Sequence, residues 1–235
     1  MKLLLLLLAP LAAWAQDASE PRELIGKMGT RSALLILHSA RRPDGSWQVA
    51  GEYVILPTLA RRFLEGERSP ELGVTVLKEG TTPILFGRPG VAELRGTWRE
   101  GVFKGWRHGV GGQKREDFEF SEEFPSLDAY SASLRCEAKH GRHQARVALS
   151  VDRGKLKSLE WRALEPGGQT CNIVATEQHP LRGGLRFGAG ACRITLRDAG
   201  ELLALRAENC AAYCDGDSHI APVFLDRRGN CELLP

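Results

Sequence analysis

Apolar residues alternate with polar or small ones along most of the chain, in short runs separated by turn residues. Trp47, Val49, Tyr53 and Ile55 show the pattern clearly. Successive side chains of a strand point to opposite faces, so this alternation predicts half-buried β-strands. Roughly eight such runs follow one another closely between residues 33 and 120, which is typical of an antiparallel meander that closes, or nearly closes, into a barrel.

Only two segments of the first half suggest anything else. In residues 17–29, Leu24 and Met28 stand four apart and Gly29 can end a helix, so we predict a short leading helix. Residues 58–65 fit either one helical turn or a strand, and we favour the strand.

The alternation stops at residues 121–129, where Pro125 lies among acidic and small residues. Beyond this break it resumes as a second set of strands. We predict strands at 134–139, 144–151, 155–163 and 170–175, then a hairpin whose turn is 198–200. The sequence therefore predicts an all-β protein of two consecutive antiparallel domains, 16–125 (barrel-like, with the leading helix) and 126–235 (smaller and cross-linked).

The first residues have the three parts of a secretory signal peptide. Lys2 supplies the positive charge, Leu3 to Leu8 are an unbroken apolar run, and residues 13–15 (Ala-Trp-Ala) form a small-x-small cleavage site. We expect residues 1–15 to be removed and the mature chain to be periplasmic or secreted, not embedded in a membrane.

Six cysteines, all after residue 135, fit that compartment. An even count in an exported protein favours disulfides, and no C-x-x-C pair supports a metal site. Six cysteines allow 15 sets of pairs. Because each would join neighbouring strands of a meander, we predict Cys136–Cys171, Cys192–Cys210 and Cys214–Cys231. The rival set has Cys192–Cys214 with Cys210–Cys231.

Charge and motifs exclude several classes of function. The net charge is +3, and basic residues are scattered among acidic ones, unlike a nucleic-acid-binding face. No G-x-S-x-G or S-x-x-K motif suggests a nucleophile. His140 and His143 lie across a predicted turn without a third ligand nearby. We predict no nucleic acid, no metal and no cofactor, and we favour a protein without enzymatic activity.

Two stretches are candidate binding sites. The first is the loop 213–219, whose candidate residues are Tyr213, Asp215, Asp217 and His219. Its carboxylates and imidazole could hold a cation or act as an acid–base pair, although an Asp-Gly-Asp-Ser run is more typical of a tight turn. The second is 98–108, where Trp98 and Trp106 stand among Lys104, Arg107 and His108. These aromatic residues either face a ligand at a barrel mouth or pack in the core.

Several short motifs of the first domain resemble a pattern of uncharacterised exported bacterial β-rich proteins. They are Gly51-Glu52-Tyr53, Leu64-Glu65-Gly66, Val76-Leu77-Lys78-Glu79 and Gly96-Thr97-Trp98. The pattern covers about half of this domain. It implies an antiparallel β-domain and no particular substrate.

The segment with Cys210, Tyr213 and Cys214 is similar to the C-x-x-Y-C-G segment of small secreted proteins grouped with lysozyme inhibitors, with Asp215 in place of the glycine. The Ser-Gly loop that such inhibitors insert into lysozyme is absent, so no inhibitory residue is carried over. The resemblance implies a non-catalytic, inhibitor-like binding protein with a protein or envelope polysaccharide as partner. The alternatives are an envelope hydrolase with carboxylates from separate strands and a purely structural envelope protein.

Overall fold

The computed structural model describes residues 21–69, 71–82, 90–109, 111, 115–175, 178–188, 191–216 and 220–234. In these ranges the chain is all-β, as predicted, and its one helical element is the 3₁₀ turn Ala211–Tyr213. No helix of the described part is long and apolar enough to cross a membrane. The predicted signal peptide, 1–15, lies outside the described residues, as do Asp217 and His219.

The first eight strands form a closed antiparallel barrel. They are β1 (Arg22–Met28), β2 (Arg31–Arg41), β3 (Trp47–Ile55), β4 (Ala60–Arg68), β5 (Val74–Gly80), β6 (Ala92–Arg99), β7 (Val102–Gly109) and β8 (Glu116–Ser121). Each strand pairs with the next, and β1 pairs with β8 from Ile25–Ser121 to Met28–Phe118. Because the sheet closes on itself, it has no open edge to protect.

The inner face of the barrel is filled with side chains. Its core residues are Leu24, Met28, Ala33, Leu35, Leu37, Val49, Tyr53, Ile55, Leu64, Leu77, Leu94, Phe103, Phe118 and Phe120. Inward-facing glycines make room for these side chains. A Cβ on Gly96 would lie 2.5 Å from the Phe103 ring, and one on Gly66 would lie 1.9 Å from the Val76 carbonyl oxygen of the neighbouring strand. A larger residue at either position would force the wall or the core to move.

The predicted leading helix is wrong, because residues 22–28 form β1. Leu24 and Met28 are four residues apart, a spacing that puts both side chains on one face of a strand as well as of a helix. Both are buried in the barrel core. Pairing with β2 on one side and β8 on the other decides the outcome.

Residues 132–234 form two sheets packed face to face. The four-stranded sheet has the order β12-β11-β10-β9, and the six-stranded sheet runs from β13 to β18 in sequence order. The strands are β9 (Ala132–His140), β10 (His143–Asp152), β11 (Lys155–Leu164), β12 (Thr170–Ala175), β13 (Gln178–Leu181), β14 (Gly184–Phe187), β15 (Arg193–Asp198), β16 (Leu202–Glu208), β17 (Val223–Asp226) and β18 (Cys231–Leu233). Residues of both sheets, Trp161 and Phe187 among them, share one apolar core. We call this unit the sandwich.

Three disulfides cross-link the sandwich: Cys136–Cys231, Cys171–Cys214 and Cys192–Cys210. Only Cys192–Cys210 was predicted. The other two predicted pairs, and the rival set, are wrong because this part of the chain is not one meander. Cys136 and Cys171 belong to β9 and β12, the two outer strands of the four-stranded sheet, and each is bonded to a cysteine that follows β16.

The barrel rests on the outer face of the six-stranded sheet. A separate apolar cluster joins them: Leu34, Ile36, Val54, Leu56 and Phe124 meet Ala199, Ala204, Phe224 and Leu234. Phe124 lies in the connection between β8 and β9. The six-stranded sheet is therefore a middle layer with both of its faces packed.

An ion pair network lies beside this apolar contact. Glu23 of β1 accepts hydrogen bonds from Arg197 at 2.9 Å and from Arg206 at 2.6 Å, and only 9% of its side chain is exposed. Burial alone would raise the pKa of Glu23, but the two guanidinium groups outweigh burial and lower it. The carboxylate is therefore held ionised between the barrel and the sandwich.

Candidate functional site

The hairpin of β6 and β7 places its two tryptophans on opposite sides of the barrel wall. Trp98 points inward and stacks on Phe103 with ring centroids 4.9 Å apart, at the edge of the barrel core. The Arg22 guanidinium lies 5.0 Å from the Trp98 ring centroid. Trp98 therefore packs against the barrel core and is partly buried there.

Trp106 lies on the outer surface of the barrel, where it is half-buried. The guanidinium groups of Arg95 and Arg115 approach its ring to 5.8 Å and 5.4 Å from the centroid, and His108 meets it edge-on. Trp106 and Arg115 help line a groove of about 820 Å³ that crosses β7, β8 and β1. The structure therefore brings one of the two predicted tryptophans to an open surface.

Charges of both signs rim this groove. Lys104 lies 2.7 Å from Glu119, and Arg115 lies 3.1 Å from Asp117. All four side chains are at least 60% exposed, so water screens both pairs and each contributes little to stability. The pairs can exchange their partners for those of another molecule at small cost. We call the groove and its rim the Trp106 groove; its lining residues are Ile25, Gly26, Lys27, Gly29, Lys104, Gly105, Trp106, Arg115, Asp117, Phe118, Glu119 and Ser121.

The other predicted site is the loop 213–219, of which the structure describes residues 213–216. This described part is attached to the sandwich. Tyr213 packs against the sandwich core. The Asp215 N–H donates to the Thr170 carbonyl at 2.9 Å, and the Thr170 hydroxyl donates to the Asp215 carboxylate at 2.5 Å. Tyr213 and Asp215 therefore anchor the loop to the sandwich, although Asp215 is exposed and Tyr213 is only partly buried. The other two predicted residues, Asp217 and His219, lie outside the described residues.

Sequence reasoning missed a cluster of charged side chains inside one end of the barrel, which we call the Glu79 cluster. Glu79 is fully buried at the end of β5. The Tyr53 hydroxyl donates to it at 2.9 Å, and Arg107 donates two hydrogen bonds, at 2.6 Å and 2.9 Å. Arg62 approaches it to 3.5 Å. Arg107 also donates to Glu116 of β8 at 3.2 Å.

The cluster joins the ends of strands that are distant in sequence, and both oxygens of its central carboxylate, Glu79, already accept hydrogen bonds. Burial, and then the negative charge of Glu79, raise the pKa of the Tyr53 phenol, so the hydroxyl stays protonated and donates. Hydrogen bonds to Glu79 raise the pKa of Arg107, which remains a cation. A neutral donor and cations thus surround one buried anion, the arrangement that makes a buried charge tolerable.

The motifs quoted from the first domain meet on the inner wall of the barrel. Gly51, Tyr53 and Leu64 face inward on β3 and β4, and Glu79 and Trp98 do so on β5 and β6. Tyr53 and Glu79 lie 26 residues apart and are directly hydrogen-bonded. These motifs therefore encode the closure and filling of the barrel, and the only signal for the Glu79 cluster was a strand that ends in Glu.

His143, one of the two histidines of the predicted turn, pairs with Glu165 at 2.7 Å. Among the described residues, no three His, Cys, Asp or Glu side chains are grouped so that they could hold a metal ion.

The chain matches no protein-family model, no curated protein sequence and no solved structure.

Proposed function

We propose that this is an exported, non-catalytic binding protein that acts on a cell-envelope or extracellular protein through the Trp106 groove. The observation that carries the proposal is the outward Trp106, half-buried in a groove of about 820 Å³ between two guanidinium groups. Tryptophan and arginine supply most of the large binding contributions at protein interfaces. The mixed charges around them suit the polar rim of such an interface.

Catalysis by the Glu79 cluster is the competing hypothesis, since Glu79 and Glu116 come from separate strands and both contact Arg107. A general base must come within hydrogen-bonding distance of its substrate. Glu79 is fully buried, and its oxygens already accept from Tyr53 and Arg107. This geometry favours a role in holding the barrel together and leaves binding as the better-supported function.

The inhibitor-like form of the proposal is tested with a c-type lysozyme acting on a suspension of peptidoglycan. We expect the wild-type protein to slow the fall in turbidity and Trp106→Ala to slow it at least about tenfold less effectively, the usual loss when an interface tryptophan is truncated. Trp98→Phe is the matched control, because it alters the other tryptophan of the same hairpin and keeps an aromatic ring in the core. It should inhibit like wild type.

Lysis by the protein alone would instead support the hydrolase. If the wild-type protein neither inhibits nor lyses, immobilised protein is incubated with an envelope extract, again beside both variants. A protein retained by wild type and Trp98→Phe but not by Trp106→Ala would support binding without inhibition. Equal retention by the wild-type protein and both variants, or no retention by any of them, would refute binding at the Trp106 groove.

A further inference from the structure

The sandwich leaves one of its sheet faces uncovered by the described residues. The six-stranded sheet packs against the four-stranded sheet on one side and the barrel on the other. The outer face of the four-stranded sheet carries a concavity of about 620 Å³. Its outward-facing lining residues are Ser133, Arg135, Glu137, Arg146, Ala148, Ser150, Ser158, Glu160 and Arg162. We call this surface the arginine face.

Two arginines oppose each other on this face. Arg146 of β10 is the register partner of Arg162 of β11. Like charges directly opposite on neighbouring strands destabilise a sheet. Arg146 pairs with Glu137 at 3.1 Å, but their side chains are 71% and 57% exposed, so the attraction is weak. Within the described residues Arg162 has no carboxylate in ion-pair contact, so this pair of guanidinium groups lacks a full counter-charge.

Small hydroxylated side chains form the next part of the same face. Ser133, Ser150 and Ser158 are register partners across β9, β10 and β11. Ala148 lies between this row and the arginines, opposite Arg135. Short side chains leave room above the sheet, and the longer arginines stand beside them. A ligand lying here would meet guanidinium donors along one side and serine hydroxyls along the other.

The chemistry of this face selects among the classes of partner. Three guanidinium groups against two carboxylates favour an anion. None of the described residues that line the concavity is aromatic, so they offer neither a stacking surface for nucleic-acid bases nor an apolar anchor pocket for a protein. Carboxylates suit the forked guanidinium groups, and sugar hydroxyls suit serine, Glu137 and Glu160, which accept hydrogen bonds.

We propose that the arginine face binds an acidic polysaccharide, with Arg146 and Arg162 on uronate carboxylates and the serine row on ring hydroxyls. This binding is independent of the Trp106 groove, which belongs to the barrel. The two surfaces can therefore be tested separately in the same full-length protein.

Titration of the wild-type protein with polygalacturonate tests the proposal, with neutral dextran and galacturonic acid monomer as comparison ligands. We expect binding to polygalacturonate alone, weakening as salt is raised because the contacts are exposed. Arg146→Ser with Arg162→Ser should reduce affinity by roughly a hundredfold, since a hydrogen bond to a charged group is worth about tenfold or more. The same double variant should unfold at the wild-type temperature or higher, because it removes opposed like charges.

The matched control is Arg142→Ser with Arg228→Ser, which removes the same charge from exposed turns of the sandwich. It should keep wild-type affinity, and Trp106→Ala should do so as well. Failure of the wild-type protein to bind, equal binding to dextran, or an equal loss in the control would overturn the proposal. So would undiminished affinity of the Arg146 and Arg162 double variant. Competition by the monomer at the same concentration of uronate units would also overturn it, as the site would then hold a single anion rather than a chain.

Discussion

The barrel and the sandwich stabilise their β-sheets in two different ways. The barrel joins β1 to β8 and contains none of the six cysteines. The sandwich leaves its sheets open, and disulfides attach both outer strands of the four-stranded sheet through Cys136 and Cys171. A closed sheet holds its own ends by backbone hydrogen bonds, whereas an open pair of sheets depends on cross-links at its margins.

The two units also differ in what they bury. The sandwich core is made of apolar residues and cysteines, and the buried carboxylates of this unit, Glu165 and Asp198, are each 7% exposed and pair with His143 and Arg227. The barrel instead encloses the fully buried Glu79 and its partners, together with the buried Thr75, in an interior that is apolar elsewhere. The barrel therefore depends on a single charge cluster and the sandwich on covalent bonds, so different perturbations should unfold them.

Reduction of the disulfides should have the largest effect and should be confined to the sandwich. The bridges span 95, 43 and 18 residues, and loop closure assigns each on the order of 3–5 kcal/mol. Trp161 is fully buried in the sandwich core and is the one tryptophan after residue 106. After reduction, the fluorescence of Trp161 should change at a lower denaturant concentration than in the oxidised protein. In the Trp161→Phe variant the remaining tryptophans report on the barrel, and its unfolding midpoint should be the same before and after reduction. A single transition shared by both units would contradict their separate stabilisation.

Glu79→Gln should destabilise the barrel and leave the stability of the sandwich unchanged. It removes the buried anion that Tyr53, Arg62 and Arg107 share and leaves Arg107 with Glu116 alone, and breaking a buried ion pair by removing one partner costs about 3–5 kcal/mol. Urea unfolding in the Trp161→Phe background would show the loss in the barrel. Glu119→Gln is the control, since it breaks an exposed pair on the outer wall and should leave the midpoint unchanged. An unchanged midpoint for Glu79→Gln would show that the cluster does not stabilise the barrel.

The smallest effect concerns alkaline pH. The pKa of Tyr53 is raised above its ordinary 10.0 by burial and by Glu79. Above pH 10.0 the unfolded phenol loses its proton while the folded one keeps it, so stability falls as pH rises. Tyr53→Phe should cost about 1 kcal/mol at neutral pH and flatten that fall for the barrel. Tyr130→Phe, in the segment that leads into the sandwich, should leave the barrel's alkaline slope unchanged; equal slopes in all three proteins would refute the role of Tyr53.

Alternation was enough to predict the fold class because it depends only on neighbouring residues. It could not separate β1 from a helix, since a spacing of four residues fits both. It could not orient the tryptophans either. Trp98 and Trp106 are eight residues apart, a spacing that would put both on one face of a continuous strand. The tight turn after Arg99 instead pairs Arg99 with Val102, so Trp98 shares its face with Phe103 and Trp106 points to the opposite face.

Contacts between strands that are distant in sequence could not be predicted, for a related reason. Glu79 meets Tyr53 and Arg107 only because β3, β5 and β7 end together at one rim of a closed barrel. Cys136 meets Cys231 only because two sheets face each other, whereas Cys192–Cys210 joins paired neighbours in one hairpin. Local pairing was predictable, and pairing that depends on the packing of whole sheets was not.

The pairing of β1 with β8 sets an order of events during synthesis. The chain is made from its N-terminus, so β1 can pair at once with β2 but must wait for residues 118–121 before its other side is covered. Until then Leu24 and Met28 lack part of their surroundings and the strand offers an open edge. Glu23 waits longer still, for Arg197 and Arg206. The strand β1 is thus synthesised before the other described strands but is among the last to gain all of its contacts. During that interval its open edge could bind a chaperone or pair wrongly with another nascent chain.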